Sequence, residues 1–183
     1  MNEPRTRADR VDRWLSLAAG VAALFAVGVS LYQARLAREQ LRASAWPYLA
    51  QSNSYVPEQP YTRQVENQGV GPARVRAFRV LVDGRPAQTW GAVVRSLTGA
   101  PDSAVVYSSL SRGSVLSPGT VLTLLQLPAG QQAERFWAAA QTRLETVICY
   151  CSIYDECWEA DSRLEEPVPV RACTTDAGTA FRQ

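Results

Sequence analysis

The residues best suited to chemistry are four cysteines, and all lie between Cys149 and Cys173: Cys149-Tyr150-Cys151, then Cys157 and Cys173. Side chains two apart in a strand point to one face, and neighbours at that spacing rarely bond to each other. Cys149 and Cys151 therefore each need another partner. Ile153 to Glu156 reads as the tip of a hairpin, which returns Cys157 to Cys151 and leaves Cys149 for Cys173; among the connectivities open to four cysteines this one is preferred. Structural bridges in an oxidising compartment are the expected outcome. A four-thiolate zinc site wants closer C-x2-C pairs than this C-x-C-x5-C-x15-C spacing provides. Thiol-disulfide exchange, the other alternative, usually relies on C-x-x-C at a helix start, whereas here the pair is C-x-C in a strand.

Other chemistry is narrowed by what the chain lacks. It has no histidine, so no Ser-His-Asp or Cys-His nucleophile and no imidazole metal ligand can be built. Every one of the nineteen basic residues is arginine, which leaves Ser108, Ser109 and Ser111 without a lysine base. Acids gather at Asp155, Glu156, Glu159 and Asp161, with Glu165 and Glu166 beyond, but the central glycine of a calcium loop is missing. They read as a solvated hairpin tip. The segment Asn67-Gln68-Gly69-Val70-Gly71-Pro72-Ala73 has two glycines that permit positive φ or close backbone approach, and Pro72 then sets the start of the next strand. No helix start or Lys-Ser/Thr follows, as a phosphate loop requires. Asn67, Gly69, Gly71 and Pro72 are therefore expected to form a structural corner, and no catalytic residue, cofactor or metal is expected.

The elements that position these residues follow from hydropathy. Trp14 to Tyr32 is an apolar run of nineteen uncharged residues, which as a helix rises roughly 28 Å, about one bilayer core. A cleaved signal peptide usually has a shorter apolar core and a small-x-small exit; this run leaves through Tyr32, Gln33 and Ala34, so a retained anchor is expected. Arg5, Arg7, Arg10 and Arg13 precede it and Arg35, Arg38 and Arg42 follow, a slight bias toward a cytoplasmic N-terminus. Gly20 and Gly28, with Ala22, Ala23 and Ala26 between them, allow close approach of a second helix and hence a homo-oligomer. The helical pattern continues through QARLAREQLRASA as a stalk that Trp46-Pro47 ends.

Beyond the stalk, short β-prone runs alternate with Gly, Pro and Asn, the texture of an antiparallel sandwich or barrel. Strands are expected at Tyr48 to Val56, Tyr61 to Glu66, Ala73 to Val82, Ala104 to Leu110, Thr120 to Leu127, Leu144 to Ile153 and from Cys157. Asp83-Gly84 reads as a turn, and helices are expected around Trp90 to Leu97 and at Gln131 to Arg143, the latter capping the sheets. The organisation is thus a segment 1–13, a membrane helix 14–32, a stalk 33–45, a β domain 46–173 and a flexible tail 174–183. Residues 1 to 45 carry seven arginines against four acids, and 46 to 183 twelve against thirteen. No clustered basic footprint is visible, so nucleic acid is excluded as a partner.

Trp46-Pro47-Tyr48-Leu49, the N-x-G-x-G-P-A corner and the N-terminal anchor together resemble a loose group of uncharacterised bacterial single-pass membrane-anchored proteins. The resemblance covers the anchor, the stalk and the first third of the domain. It implies an immunoglobulin-like β-sandwich and a single-pass topology, and it brings no activity or ligand. The arginine-only composition also reads as GC-rich bacterial coding. The expectation is a mainly β protein of the bacterial inner membrane whose periplasmic sandwich serves as a binding, scaffolding or assembly module, with the bilayer and another protein as partners. Alternatives are an envelope enzyme using the cysteine hairpin and a cytoplasm-facing sensor or immunity-type domain.

Overall fold

The computed structural model describes residues 7–100, 108, 110–174 and 181. Two compact units divide the chain, one ending at Ala43 and the other beginning at Ser44. The first is a single helix, α1 (Arg7–Ser44). Its large apolar side chains, Trp14, Leu24 and Phe25 among them, are exposed. Ser16 and Ser30 return their hydroxyls to the carbonyls of Asp12 and Ala26, so neither presents an unpaired donor. Among the described residues this is the one helix long and apolar enough to cross a membrane, with a mean hydropathy of 2.0 in its most apolar stretch.

The second unit is mainly β. Its strands are β1 (Leu49–Ser54), β2 (Tyr61–Asn67), β3 (Ala73–Val82), β4 (Arg85–Ala87), β5 (Val115–Leu116), β6 (Val121–Leu127), β7 (Leu144–Cys151), β8 (Cys157–Asp161) and β9 (Val168–Val170). Two helices interrupt them, α2 (Trp90–Thr98) and α3 (Gln131–Arg143). All pairings are antiparallel: β1-β2-β6 form one sheet, and β4-β3-β7-β8-β9, with β5 on β3, form the other. The expected strands and helices recur with bounds shifted by a few residues, and the short β4, β5 and β9 are additional. The strand expected at Ala104 to Leu110 falls outside the described residues except for Ser108 and Leu110, and Leu110 is buried in the core.

Both sheets contribute to one core, which holds Leu49, Tyr61 and Val65 from the first and Val75, Phe78, Val80, Ile148 and Tyr150 from the second. Strand alternation selects these faces. In β3 the inward phase runs Ala73, Val75, then Phe78, Val80 and Val82. The slip is a bulge between Val75 and Ala77 in the pairing with β7, which leaves Arg76 and Ala77 both off the core face. β7 is the central strand, and its residues are buried on both faces: Ile148 and Tyr150 toward the core, Val147, Cys149 and Cys151 away from it.

Local chemistry closes the elements. Asp83 and Gly84, with φ of 52° and 74°, form the tight β3–β4 turn. Arg143, at the end of α3, donates two hydrogen bonds to the Asp83 carboxylate at 2.9 and 2.7 Å, and these hold that carboxyl below its ordinary pKa. Thr89 caps α2 by accepting from the Ala92 N–H, and Gly99 ends the helix in the left-handed conformation. α2 buries Trp90, Val93, Val94 and Leu97, and α3 buries Ala133, Phe136 and Ala140. Phe181, in the segment expected to be a flexible tail, packs edge-on against Phe78 and Trp90 at 5.3 and 5.1 Å.

Candidate functional site

The Asn67 corner is built around one side chain. Asn67 is fully buried and donates to the carbonyls of Gly71 and Leu116 at 2.8 and 2.9 Å, while its Oδ1 accepts from the Tyr48 and Gly69 N–H groups. The glycines serve close approach rather than positive φ: a Cβ on Gly69 would strike the backbone of Trp46, Pro47 and Tyr48, and one on Gly71 that of Ala45. Pro72 then leads into β3. With every polar group of Asn67 engaged by the chain itself, the corner has no free donor to offer a ligand.

The cysteines meet on the outer face of the larger sheet. Cys151 and Cys157 are register partners across β7 and β8 and form one disulfide, with Cα atoms 4.0 Å apart. The intervening turn is closed by the Ser152 N–H donating to the Glu156 carbonyl at 2.8 Å and by the Ser152 hydroxyl accepting from Tyr154 and Glu156. Asp155 sits there at φ 60°. Cys173, beyond β9, is bonded to Cys149 with Cα atoms 5.7 Å apart, which fastens residues 171 to 173 to the outer face of β7. The two bridges touch: Sγ of Cys173 lies 3.9 Å from Sγ of Cys151. Sulfur atoms of Cys151, Cys157 and Cys173 all lie within 4.8 Å of one another. As disulfides they are not thiolates, the form that ligates zinc.

Arginines border this face. Arg74 and Arg76 share the outer face of β3 by strand alternation, and both reach Asp155 Oδ1, Arg76 at 3.3 Å. Arg79 pairs with Glu159 at 3.0 Å along the same face. Beside the sulfurs opens a cavity of about 320 Å³, walled by Arg76, Arg112, Arg171, Asp155 and the disulfides. Arg112 and Arg171 have no acidic partner among the described residues. Of the expected hairpin acids, Asp155 and Glu159 neutralise β3 arginines; Glu145 of β7, outside that group, pairs with Arg163 at 2.8 Å.

A second polar cluster lies between the sheets. Arg63, only 4% exposed, donates from Nη2 to Thr146 Oγ1 at 2.6 Å and has no carboxylate partner among the described residues. Gln51 donates to the carbonyls of Thr146 and Ala160 and accepts from the Thr146 hydroxyl. Tyr61 lies near, its phenol raised in pKa by burial while the Arg63 charge opposes the shift. The sequence carried a sign of this, since Arg63 shares the phase of Tyr61 and Val65 in β2. The basic wall of the outer cavity carried none: Arg76, Arg112 and Arg171 come from separate stretches of a nearly neutral domain. No family model matches this chain, and no curated protein does either.

Proposed function

We propose that the chain is a single-pass protein of the bacterial inner membrane, anchored by residues 14–32 with its N-terminus in the cytoplasm. In this reading the β domain is an immunoglobulin-like sandwich in the periplasm that acts as a binding, scaffolding or assembly module, with another protein among its partners. The observation that carries it is the pair of disulfides. All four cysteines are consumed in bridges, a state that persists in oxidising compartments and is rare in a reducing cytosol. The bridges fasten the outer face of β7 and frame an open cavity, as a rigid recognition surface requires. A reporter active only outside the cytoplasm, fused after Gln183, will be active, and one active only inside will be silent; the reverse pattern would refute the topology.

A second reading is favoured by one distance, the 3.9 Å between Cys151 and Cys173. Bridges that close can exchange: an external thiolate that bonds to Cys157 releases the Cys151 thiolate, which attacks Cys173 and in turn releases the Cys149 thiolate. Thiol counting in mild reductant separates the readings, because structural bridges stay closed and exchange-active ones open.

A further inference from the structure

We propose that the cavity beside the two disulfides is a binding site for a compact polyvalent oxyanion of the diphosphate type. The proposal deepens the binding-module reading and rests on it.

Three guanidinium groups, from Arg76, Arg112 and Arg171, wall the cavity against a single carboxylate, Asp155. That carboxylate is already shared between Arg74 and Arg76, and it lies on the exposed turn. Two of the three forks are thus uncommitted among the described residues. A guanidinium presents paired N–H donors that match two oxygens of a phosphate or carboxylate, and such charge-assisted bonds are about twice as strong as neutral ones. At about 320 Å³ the cavity is at the lower end of small-molecule sites, which run roughly 300 to 1,000 Å³. A diphosphate offers oxygens on two centres, and so more acceptors for these forks than a single phosphate does.

Disulfides assemble the site. Arg171 lies two residues before Cys173, and the Cys149–Cys173 bridge fastens it to the sheet. The Cys151–Cys157 bridge closes the turn that carries Asp155 opposite the β3 arginines. Arg76 faces outward with Arg74 by the alternation of β3. The Arg112 segment is held against β3 by the Gly113 N–H donating to the Val75 carbonyl and the Val75 N–H donating to the Ser114 carbonyl, so three chain segments that no local pattern links meet at one cavity.

The test is calorimetric titration of the full-length protein, in neutral detergent, with inorganic pyrophosphate. Saturable one-site binding that weakens as salt rises is expected. Arg112→Gln and Arg171→Gln will each weaken it by about tenfold or more. Asp155→Asn will tighten it by freeing Arg76, and Arg135→Gln, exposed on α3, will leave it unchanged. The Cys149→Ser, Cys173→Ser double variant will weaken it by releasing Arg171, with a melting curve to show that the fold survives. Should that variant unfold, the two exposed arginines still decide the matter. A parallel titration with geranyl diphosphate, which carries the same diphosphate on a short isoprenoid chain, distinguishes the source: whichever ligand binds tighter identifies a free anion or a lipid headgroup. Absence of saturable binding to either, or binding indifferent to Arg112→Gln and Arg171→Gln, would overturn the proposal. Such a failure leaves the reporter result, and with it the topology, untouched.

Discussion

Single residues at the corner and between the sheets carry disproportionate weight because each satisfies several buried backbone groups. Asn67→Ala strips partners from two carbonyls and two N–H groups. With each orphaned buried group costing about 1–3 kcal/mol, a loss of roughly 3 kcal/mol or more is expected in urea denaturation. Tyr150 gives a pH prediction. Its hydroxyl oxygen accepts from the Leu49 N–H at 3.2 Å, and burial pushes its pKa from 10.0 up to about 12. The folded state therefore keeps a proton that the unfolded chain releases above pH 10. This contribution is intact below about pH 10 and lost as pH rises toward 12, a fall of roughly 2–3 kcal/mol. Stability measured between pH 9 and 11.5 should drop in the native protein and drop less in Tyr150→Phe. Arg63 behaves differently, as a buried cation without a carboxylate partner among the described residues. Replacing a buried charge by an apolar side chain of similar length is often neutral or stabilising, so Arg63→Met should melt no lower than the native protein. Arg63→Ala, which leaves a cavity, should melt lower.

At the level of elements, the β7–β8 hairpin and the segment after β9 are held by covalent bonds of unequal reach. The Cys151–Cys157 bridge spans six positions and the Cys149–Cys173 bridge twenty-four. Loop-closure arguments put their contributions near 2.4 and 3.5 kcal/mol, about 1 kcal/mol apart. Cys149→Ser with Cys173→Ser should thus lower the melting temperature more than Cys151→Ser with Cys157→Ser. The single variant Cys157→Ser should leave a free thiol that mass mapping places on Cys151. A thiol on Cys149 or Cys173 instead would mean that the bridges exchange, in line with the second functional reading. The hairpin was legible in the sequence because register in a tight hairpin is set by its turn, and Cys151 and Cys157 stand symmetrically about Ser152 to Glu156. The bulge in β3 was also written locally, as the step from Val75 to Phe78, although it becomes meaningful only when β7 is seen alongside.

For the molecule as a whole, the separation at Ala43 and Ser44 predicts that residues 46 to 183 fold without the helix. Their core draws on both sheets and both short helices and, among the described residues, includes none of α1. Exported alone, this piece should be soluble, with a β-type circular dichroism spectrum and no free thiols. A mainly helical spectrum, or oxidised cysteines on an unfolded chain, would contradict it. In the intact protein, helical signal from α1 should add to the same β spectrum.

The long apolar helix, most strands and the hairpin that pairs Cys151 with Cys157 could be argued from residues alone, because each depends on a pattern confined to a few turns or one hairpin. Periodicity, turn chemistry and hydrophobic length are local quantities. The arginine cavity is of another kind: Arg76, Arg112 and Arg171 lie in different parts of a chain whose charge is nearly balanced, and nothing in their spacing joins them. Likewise, whether Gly69 and Gly71 serve positive φ or close packing depended on what lay against them, the backbone from Ala45 to Tyr48. Charge convergence and steric room are set by contacts between distant segments, so only the tertiary structure decided them.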